Sequence, residues 1–497
     1  MVHWRLRFGV AGGVAVLLCL RLYLPFDTNE SMTVYDGIVW ALLNQQNWGK
    51  QALVGALDYP PLPALVLLIF TAISEIVGIN PGKWVVAVSQ IWTLSYLVKL
   101  IHLTGRAKLF LLAAPILLIL PALLAPGLGP SPFEFVWDTD PFWICIVPMA
   151  AIVFHVSRLE RTNSLRDLVI VALSCGILVL CGITGILFSL MVLATVWLYA
   201  ERKLIRRPGV STLLFAPCVY VLLLYPFFNW LILGDYMFCI HRLQAYFLPR
   251  AILDSIHTES AGTVALPVLF ILALVLMLVI HFFRSMPLAV RLSYNLAFAA
   301  LISAAVGTTG QLFIGGEYLL AGFCWIAPMH LLVTGPGGLN PNSWRYAVFN
   351  ALNVLLAAVL VASFPIRHQG KTREKFVESQ PPPPDIIKLV DRHWDRSRIL
   401  IYDLRTAVIY ARHDKQRFWP RLDYYETLLR EQMVDEQFHL LLAPDNGRFY
   451  AHGNVEMAGI HTKGKNWLFL EQLWPDGWQL WRCIRARPEE DEIWATP

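Results

Sequence analysis

Apolar residues are gathered into long runs separated by short polar stretches, and a bilayer crossing needs roughly 20 such residues. The runs fall at about 8–25, 61–78, 83–101, 108–125, 141–157, 165–181, 183–200, 211–233, 263–283, 290–312, 317–335 and 346–364. This pattern predicts an all-α polytopic membrane domain.

The connections between the runs divide by charge. Basic connections favour the cytoplasm, and they lie at 102–108, 158–166, 201–207, 284–291 and around Arg345. Acid-bearing connections favour the outer side, and they lie at 27–60 and 127–140. If every run crosses the membrane, successive connections must alternate between its two sides. The basic connections can then all lie inside and the acid-bearing ones outside only if one run between Asp58 and His102 does not cross.

The run at 61–78 is our candidate for the run that does not cross, because it opens with the Pro cluster of "YPPLP" and carries Glu75. We predict that it lies in, or dips into, the outer face. About 11 crossings then remain, with the N-terminus in the cytoplasm and the C-terminus outside. In the alternative, this run spans and the connection at 102–108 departs from the charge rule.

Two large outer loops follow from this topology. The first, about 26–82, places Val34, Ile38 and Leu42 on one side of a helix. The polar side carries Asp36, Trp40, Asn44 and Asn47, which predicts an amphipathic helix on the membrane surface. The second, about 234–262, mixes aromatic residues with charged ones and is too polar to span.

The chain changes character after the last run. Residues 365–384 form a charged, Pro-rich linker. Beyond it, residues 385–497 contain the strand-like "RILIYDL" and "QFHLLLAP" and the helix-like "PRLDYYETLLREQMV". We therefore predict a membrane domain over 1–364 and a small extracytoplasmic α/β domain over 385–497.

The composition agrees with a membrane protein and excludes an ordinary soluble globular chain. Hydrophobic residues make up 57% and charged residues 15% of the 497 residues, and the mean hydropathy is +0.54. The net charge of +5 gives no reason to expect a nucleic-acid partner. Six of the eight cysteines lie in apolar runs, where we expect them to serve as small packing residues.

The order of three motifs resembles a known family. "YDG" stands on the first-loop helix, "DYPPLP" follows it, and "DTDPFW" ends the next outer loop before a helix that leaves into "SRLER". This order is similar to that of the GT-C membrane glycosyltransferases, which use sugars carried on polyprenyl or dolichyl phosphate. "DTD" looks most like bacterial oligosaccharyltransferases, whereas "DYPPLP" and "ILIYDLRTAVIYARHD" look more like protein mannosyltransferases and aminoarabinose transferases.

The resemblance implies a role for each matching position. Asp36 matches the first-loop carboxylate that serves as base or orients the acceptor, and Asp138 and Asp140 match the second-loop acids. In oligosaccharyltransferases these acids bind a divalent metal together with a glutamate from a later outer loop. Glu259, in the next large loop of this sequence, corresponds to that glutamate by position. "LWPDGW" is not the Trp-Trp-Asp motif of oligosaccharyltransferases, which argues against transfer to protein asparagine.

The residue types fit the chemistry of this reaction. A polyprenyl-phosphate sugar carries its own leaving group, so the enzyme must align an acceptor oxygen, accept its proton and balance charge on the phosphate. Asp36 can accept the proton. The candidate residues for binding the substrate and its phosphate are Tyr59, His241, Arg242, Arg250 and His257. Asp138, Asp140 and Glu259 offer oxygen ligands that suit Mg²⁺ or Mn²⁺.

Structural explanations stand beside these roles. Asp36 before Gly37 is a common turn or helix-start pair. Asp140 before Pro141 is a natural helix N-cap. Arg250 could equally meet lipid headgroups.

Three functions remain open from the sequence. The first is an inverting hexosyl- or pentosyltransferase on the outer face of a bacterial inner membrane, or of the endoplasmic reticulum, with a lipid, glycan or protein acceptor. The second is a lipid or solute transporter or flippase, which would place ionisable groups at the midplane and show repeats. The third is a non-catalytic scaffold. Acids grouped on one face, without a visible repeat, favour the enzyme.

Overall fold

The structure is a computed structural model that describes part of the chain. It describes residues 61–77, 81–105, 143–199, 209–237, 288–307, 347–357, 399–401, 418–420, 439–442, 468–475 and 477–483. It also describes the single residues Tyr35, Ile38, Val39, Leu42, Leu43, Lys50, Leu53, Val54, His330, Trp344, Asp385 and Lys388.

The helices coincide with the predicted apolar runs. They are α1 (Pro61–Val77), α2 (Pro81–Thr104), α3 (Trp143–Thr162), α4 (Leu165–Val179), α5 (Ile183–Tyr199), α6 (Val210–Leu233), α7 (Leu288–Gly307) and α8 (Ala347–Ala357). Within the described chain, α2, α3 and α6 are long and apolar enough to cross a membrane. The total of about 11 crossings stays a prediction.

Helices α3 and α4 form a tight antiparallel hairpin. Only Asn163 and Ser164 separate them, so the polar connection predicted at 158–166 is mostly helical. Asn163 adopts a left-handed conformation with φ 47°, which Asn tolerates better than most residues, and its N–H donates to the Leu159 carbonyl at 2.8 Å. The backbone N–H groups of Asp167 and Leu168 then donate to the Ser164 carbonyl and start α4.

Helix α2 runs parallel to α3. The Tyr96 ring lies 5.8 Å from the Phe154 ring and 5.9 Å from the His155 ring. Seven residues further along α2, the Leu103 carbonyl accepts a hydrogen bond from the Arg161 guanidinium. Because both contacts advance in the same direction, residue 105 and Trp143 lie at opposite ends of the bundle.

Both termini of helix α1 lie towards the side of the bundle at which α3 starts. The Leu62 N–H donates to the carbonyl of Leu180, just beyond the end of α4, at 3.1 Å. The end of α1 is joined to the start of α2 through residues 78–80, which span at most about 14 Å. Since the 24 residues of α2 measure about 36 Å, α1 does not reach the end where α2 stops. This placement agrees with the prediction that 61–78 does not cross.

Two further helices pack on α4. The Ser189 hydroxyl of α5 donates to the Cys175 carbonyl at 2.8 Å, which places α5 antiparallel to α4. Helix α6 runs parallel to α4, because Pro217 lies against Gly176 and the Tyr225 hydroxyl donates to the Val179 carbonyl. A Cβ at Gly176 would come within 3.1 Å of Pro217, so a larger residue there would separate the two helices. The described free cysteines, at 145, 175, 181 and 218, are all buried, which confirms their expected packing role.

Helix α7 runs antiparallel to α3 and begins beside the end of α3. The Glu160 carboxylate accepts the backbone N–H groups of Leu288 and Ala289 at 2.9 and 3.0 Å. These are orphan donors of the first helical turn, so the acid both caps α7 and neutralises the positive end of its dipole. The Tyr294 hydroxyl of α7 donates to Asn353 Oδ1 of α8 at 2.8 Å.

These contacts define two ends of the bundle. We name the end at which α2 and α3 stop and α4 and α7 start the basic end. Its described basic residues are Lys99, His102, Arg158, Arg161, Arg166 and Arg291. The opposite end, where α1 and α3 start and α4 and α6 stop, is named the far end. The described parts of the basic connections predicted at 102–108 and 158–166 thus lie at one end of the bundle, and the orientation of that end in the membrane stays a prediction.

The C-terminal part contains a five-stranded mixed sheet in the order β2-β1-β3-β5-β4. The strands are β1 (Ile399–Ile401), β2 (Phe418–Pro420), β3 (His439–Leu442), β4 (Leu468–Leu473) and β5 (Gln479–Cys483). Strands β2, β1 and β3 are parallel, whereas β5 is antiparallel to β3 and β4. Strands β1 and β3 lie within two predicted stretches. The predicted helix at "PRLDYYETLLREQMV" lies outside the described residues.

The "LWPDGW" sequence connects β4 and β5 as a hairpin. The Trp474 N–H donates to the Trp478 carbonyl and the Gly477 N–H donates to the Trp474 carbonyl, both at 2.9 Å. Gly477 has φ 86°, a conformation that L side chains rarely adopt. Both tryptophans are buried, at 6% and 4% exposure. This motif therefore has a folding role in the sheet.

The two ends of the bundle should be accessible from opposite sides of a membrane. We expect a Tyr236→Cys variant to react with a membrane-impermeant maleimide on intact cells, because Tyr236 is exposed beyond the end of α6. We expect Thr104→Cys to react only after the cells are permeabilised. Labelling of both variants from outside would contradict the arrangement of the helices. Labelling with the two sides exchanged would favour the alternative in which 61–78 spans.

Candidate functional site

The far end gathers the chain segments that flank most of the predicted site. The start of α1 is tied to the end of α4 by the Leu62–Leu180 hydrogen bond. The start of α3 lies at the same end, because α3 and α4 are antiparallel. Helix α6 ends there too, since it runs parallel to α4. Three different outer segments therefore leave the helices on one side of the bundle.

The predicted site residues are close in sequence to these helix ends. Tyr59 stands two residues before Pro61, and Asp138 and Asp140 stand five and three residues before Trp143. His241 follows Met237, the last described residue beyond α6, by four residues. The residues predicted for the site are Asp36, Tyr59, Asp138, Asp140, His241, Arg242, Arg250, His257 and Glu259, and all of them lie outside the described residues. Their roles stay predictions.

Three described residues close in sequence to Asp36 are buried. Tyr35, Ile38 and Val39 are helical and only 1%, 1% and 2% exposed. Their spacing of three and four residues puts them on one side of the helix. Leu43, further along the chain, is exposed. Of the residues predicted for the apolar side, Ile38 is covered by protein and Leu42 is half-buried. The predicted polar side, Asp36, Trp40, Asn44 and Asn47, lies outside the described residues, so the amphipathic helix stays a prediction.

Helix α3 starts with buried residues, close in sequence to the predicted second-loop acids. Trp143, Ile144, Cys145 and Ile146 are all buried in the first turn. Pro148 lacks an N–H and so cannot donate to the carbonyl of the residue four positions before it. The N-cap interpretation of Asp140 and Pro141 concerns residues just outside the described part.

A buried cluster of polar residues occupies the basic end, and sequence reasoning missed it. Asp167, in the first turn of α4, is 0% exposed. Its carboxylate lies 2.7 Å from His155 Nδ1 and 3.3 Å from Arg158 Nε, and it accepts from the Thr162 hydroxyl at 3.1 Å. Three groups of α3 thus meet one acid of α4. A histidine within an apolar run is the sequence signal that could have revealed the cluster.

A second buried contact joins α3 and α7 through His330. The imidazole Nε2 lies 3.1 Å from the Ser157 hydroxyl and Nδ1 lies 2.6 Å from the Ser293 hydroxyl. Both hydroxyls also lie within 2.9 Å of a backbone carbonyl in their own helix. A neutral imidazole donates through only one nitrogen, so one serine must donate to the ring instead of to its helix. This network fixes His330 between the two helices.

Both clusters serve packing better than chemistry. Asp167 has its oxygens occupied by three groups of α3, and Glu160 is occupied by the first turn of α7. No group of three His, Cys, Asp or Glu side chains able to hold a metal occurs in the part of the chain that the structure describes. The described polar groups therefore orient the helices.

Comparisons with known proteins found similarity at the level of structure. No family model and no curated protein matches the chain. Among solved structures, ArnT from Cupriavidus metallidurans bound to undecaprenyl phosphate aligns over 98% of this chain and 99% of its own, with 12% identity and a TM-score of 0.44. The apo form of the same ArnT aligns over the same shares with 12% identity and a TM-score of 0.36.

Removal of the Asp167 carboxylate should weaken the α3–α4 hairpin. We expect Asp167→Ala to destabilise the protein by about 2 to 3 kcal/mol, because it leaves the buried His155 of α3 without its partner and removes the contacts to Arg158 and Thr162. Thermal unfolding in detergent, followed with a thiol-reactive dye that reports exposure of the buried cysteines, would measure the effect. Arg166→Ala is the matched control, since Arg166 is exposed and adjacent. Equal stability of the two variants would contradict a structural role for Asp167.

Proposed function

We propose that this protein is a membrane glycosyltransferase of the GT-C type, which transfers a sugar from a polyprenyl-phosphate donor to an acceptor on the extracytoplasmic face. One observation supports the proposal most directly. The helix ends that flank Tyr59, the pair Asp138 and Asp140, and the segment beginning at His241 all lie at the far end, opposite the basic end. Residues distant in sequence thereby leave the bundle on the side predicted to face outward.

The reaction assigns complementary roles to these segments. The acceptor oxygen attacks the anomeric carbon from the face opposite the departing phosphate, so the configuration inverts. Asp36 accepts the proton of the acceptor. Arg242 and Arg250 bind the phosphate in bidentate fashion through their guanidinium groups. His241 and His257 add hydrogen-bond donors beside them. Tyr59, next to the start of α1, contacts the substrate.

The location of this site suits a lipid-linked donor. A polyprenyl chain partitions into the bilayer, and its phosphate lies at the interface, where the far-end segments emerge from apolar helices. The carrier belongs to the same class of lipid as the undecaprenyl phosphate named for the ArnT structure. We propose a bacterial inner membrane as the location, with the domain over 385–497 outside.

A divalent metal is part of the proposal. Asp138 and Asp140, with Glu259 from the next outer loop, would supply carboxylate oxygens to Mg²⁺ or Mn²⁺. Such an ion would offset charge that develops on the departing phosphate.

A transporter is less well supported. Transporter sites place ionisable groups near the midplane on broken helices. The described buried ionisable pair, His155 with Asp167, lies about 10 Å from the end of α3, given 1.5 Å per residue. Its carboxylate is occupied by hydrogen bonds within the hairpin and offers no open position to a passing ion.

The role of Asp36 can be tested by an isosteric change. We expect Asp36→Asn to lower sugar transfer by about 100-fold or more, because the amide cannot accept the proton. Purified protein in detergent would be given undecaprenyl-phosphate-linked hexoses and pentoses together with membrane extract as acceptor. Release of undecaprenyl phosphate would be measured by mass spectrometry.

The matched control is Asp385→Asn, which makes the same chemical change at an exposed helical position of the C-terminal part. It should retain wild-type transfer. The Asp36 variant should also keep its elution profile and thermal stability. Wild-type transfer by the Asp36 variant would exclude Asp36 as the base.

The metal can be removed without changing the sequence. We expect EDTA to reduce transfer by the wild type, and Mg²⁺ or Mn²⁺ to restore it, since carboxylate sites for hard cations lose their ion to a chelator. Asp138→Asn should require a higher metal concentration for half-maximal transfer. Transfer that is unaffected by EDTA would exclude the metal while leaving the transferase itself intact.

A further inference from the structure

Lys99 of α2 and Arg158 of α3 follow the contact between these two helices towards the basic end. The rings of Tyr96 and Phe154 are 5.8 Å apart and mark where the two parallel helices touch. Lys99 follows Tyr96 by three residues and Arg158 follows Phe154 by four, so each stands about one helical turn further towards the basic end. The two side chains therefore flank the same stretch of the cleft between α2 and α3.

Both cations keep donors available. Arg158 contacts Asp167 through Nε alone, and its side chain is 40% exposed. The four N–H groups on its two terminal nitrogens have no acceptor among the described residues. Lys99 is exposed, and its ammonium lies 5.0 Å from the centre of the Tyr96 ring. It forms no ion pair within the part of the chain that the structure describes.

The carboxylates nearest to these cations are already occupied. Asp167 accepts from three groups of α3, and Glu160 accepts from the first turn of α7. The cleft thus carries positive charge that the described side chains do not balance, and an anion with several oxygens would balance it.

An apolar surface continues from the cations into the span of α2. Trp92 precedes Lys99 by seven residues, which places it on the same side of the helix about 10 Å away. Its side chain is 53% exposed, and Tyr96 lies between the two positions. An aromatic stripe that ends at a lysine matches a molecule with a hydrocarbon chain and an anionic head.

We propose that the cleft between α2 and α3 at the basic end binds an anionic phospholipid, with the phosphate held by Lys99 and the terminal nitrogens of Arg158 and an acyl chain lying along Trp92. A guanidinium fork matches two phosphate oxygens, and the ammonium adds a third charge-assisted contact. Basic pockets between membrane helices on the cytoplasmic side recognise headgroups in this way. The site lies at the opposite end from the proposed sugar-transfer site and does not depend on it.

Native mass spectrometry of the full chain in detergent would test the site, with dioleoylphosphatidylglycerol as the probe. We expect Lys99→Gln to weaken binding about fivefold and the double variant with Arg158→Gln about 25-fold, given the usual contribution of one basic side chain. Lys99→Arg should bind like the wild type, because it keeps the charge. Lys99 is exposed and forms no ion pair in the described chain, so its single variants should fold normally. These single variants decide the test if loss of the Arg158–Asp167 contact destabilises the double variant.

Two controls separate this site from general surface charge and from free phosphate. Arg166→Gln removes one positive charge from the same end but on α4, and it should leave binding unchanged. Dioleoylphosphatidylcholine and inorganic phosphate should both bind much more weakly than phosphatidylglycerol. An equal loss in Arg166→Gln and Lys99→Gln, equal binding of the two lipids, or equal stabilisation by inorganic phosphate would each overturn the proposal.

Discussion

The fully buried carboxylate of Asp167 is the constraint on which the arrangement of the described helices depends. A carboxylate in an apolar surrounding is tolerated only with partners close by. His155, Arg158 and Thr162 supply them, and they occupy successive turns on one side of α3. The hairpin of α3 and α4 is therefore held in a defined register. Helices α2 and α7 are then placed by Arg161 and Glu160, which lie in the same last turn of α3.

This concentration of polar contacts at the basic end has a consequence for the far end. The last turn of α3 connects to α2, α4 and α7, so the helices are fixed where they approach the predicted cytoplasmic side. Their opposite ends carry the segments that hold the predicted site. A rigid base with chemistry on the connecting segments is a common division of labour, because loops can vary in sequence while the scaffold positions them. The proposed transferase would follow this design.

The cleft at Lys99 and Arg158 adds a second contact with the membrane. If the far end receives a lipid-linked sugar, the basic end would be held by a lipid of the inner leaflet, and both use phosphate recognition by cations. The two sites differ in what surrounds them. The described cleft is lined by the aromatic residues Trp92, Tyr96 and Phe154 of two adjacent helices, whereas the transfer site is assigned to loops.

The sequence alone determined the described helices of this protein closely. Apolar runs at 83–101 and 211–233 predict α2 and α6 within a few residues, because a membrane helix requires a continuous apolar stretch whatever its neighbours are. The charged connections also predicted which helix ends lie together, since basic residues favour one side of the membrane. The prediction that residues 61–78 do not cross the membrane also came from this distribution of basic residues.

Only the tertiary structure decided which helices are partners. Tyr96 meets Phe154 across 58 residues, and Glu160 meets the start of α7 across 128 residues. Hydrophobic periodicity reports that a side of a helix is covered, but it carries no information about which element covers it. For the same reason the cluster around Asp167, which depends on a turn of two residues and on the register of two helices, became visible only when the chain was folded.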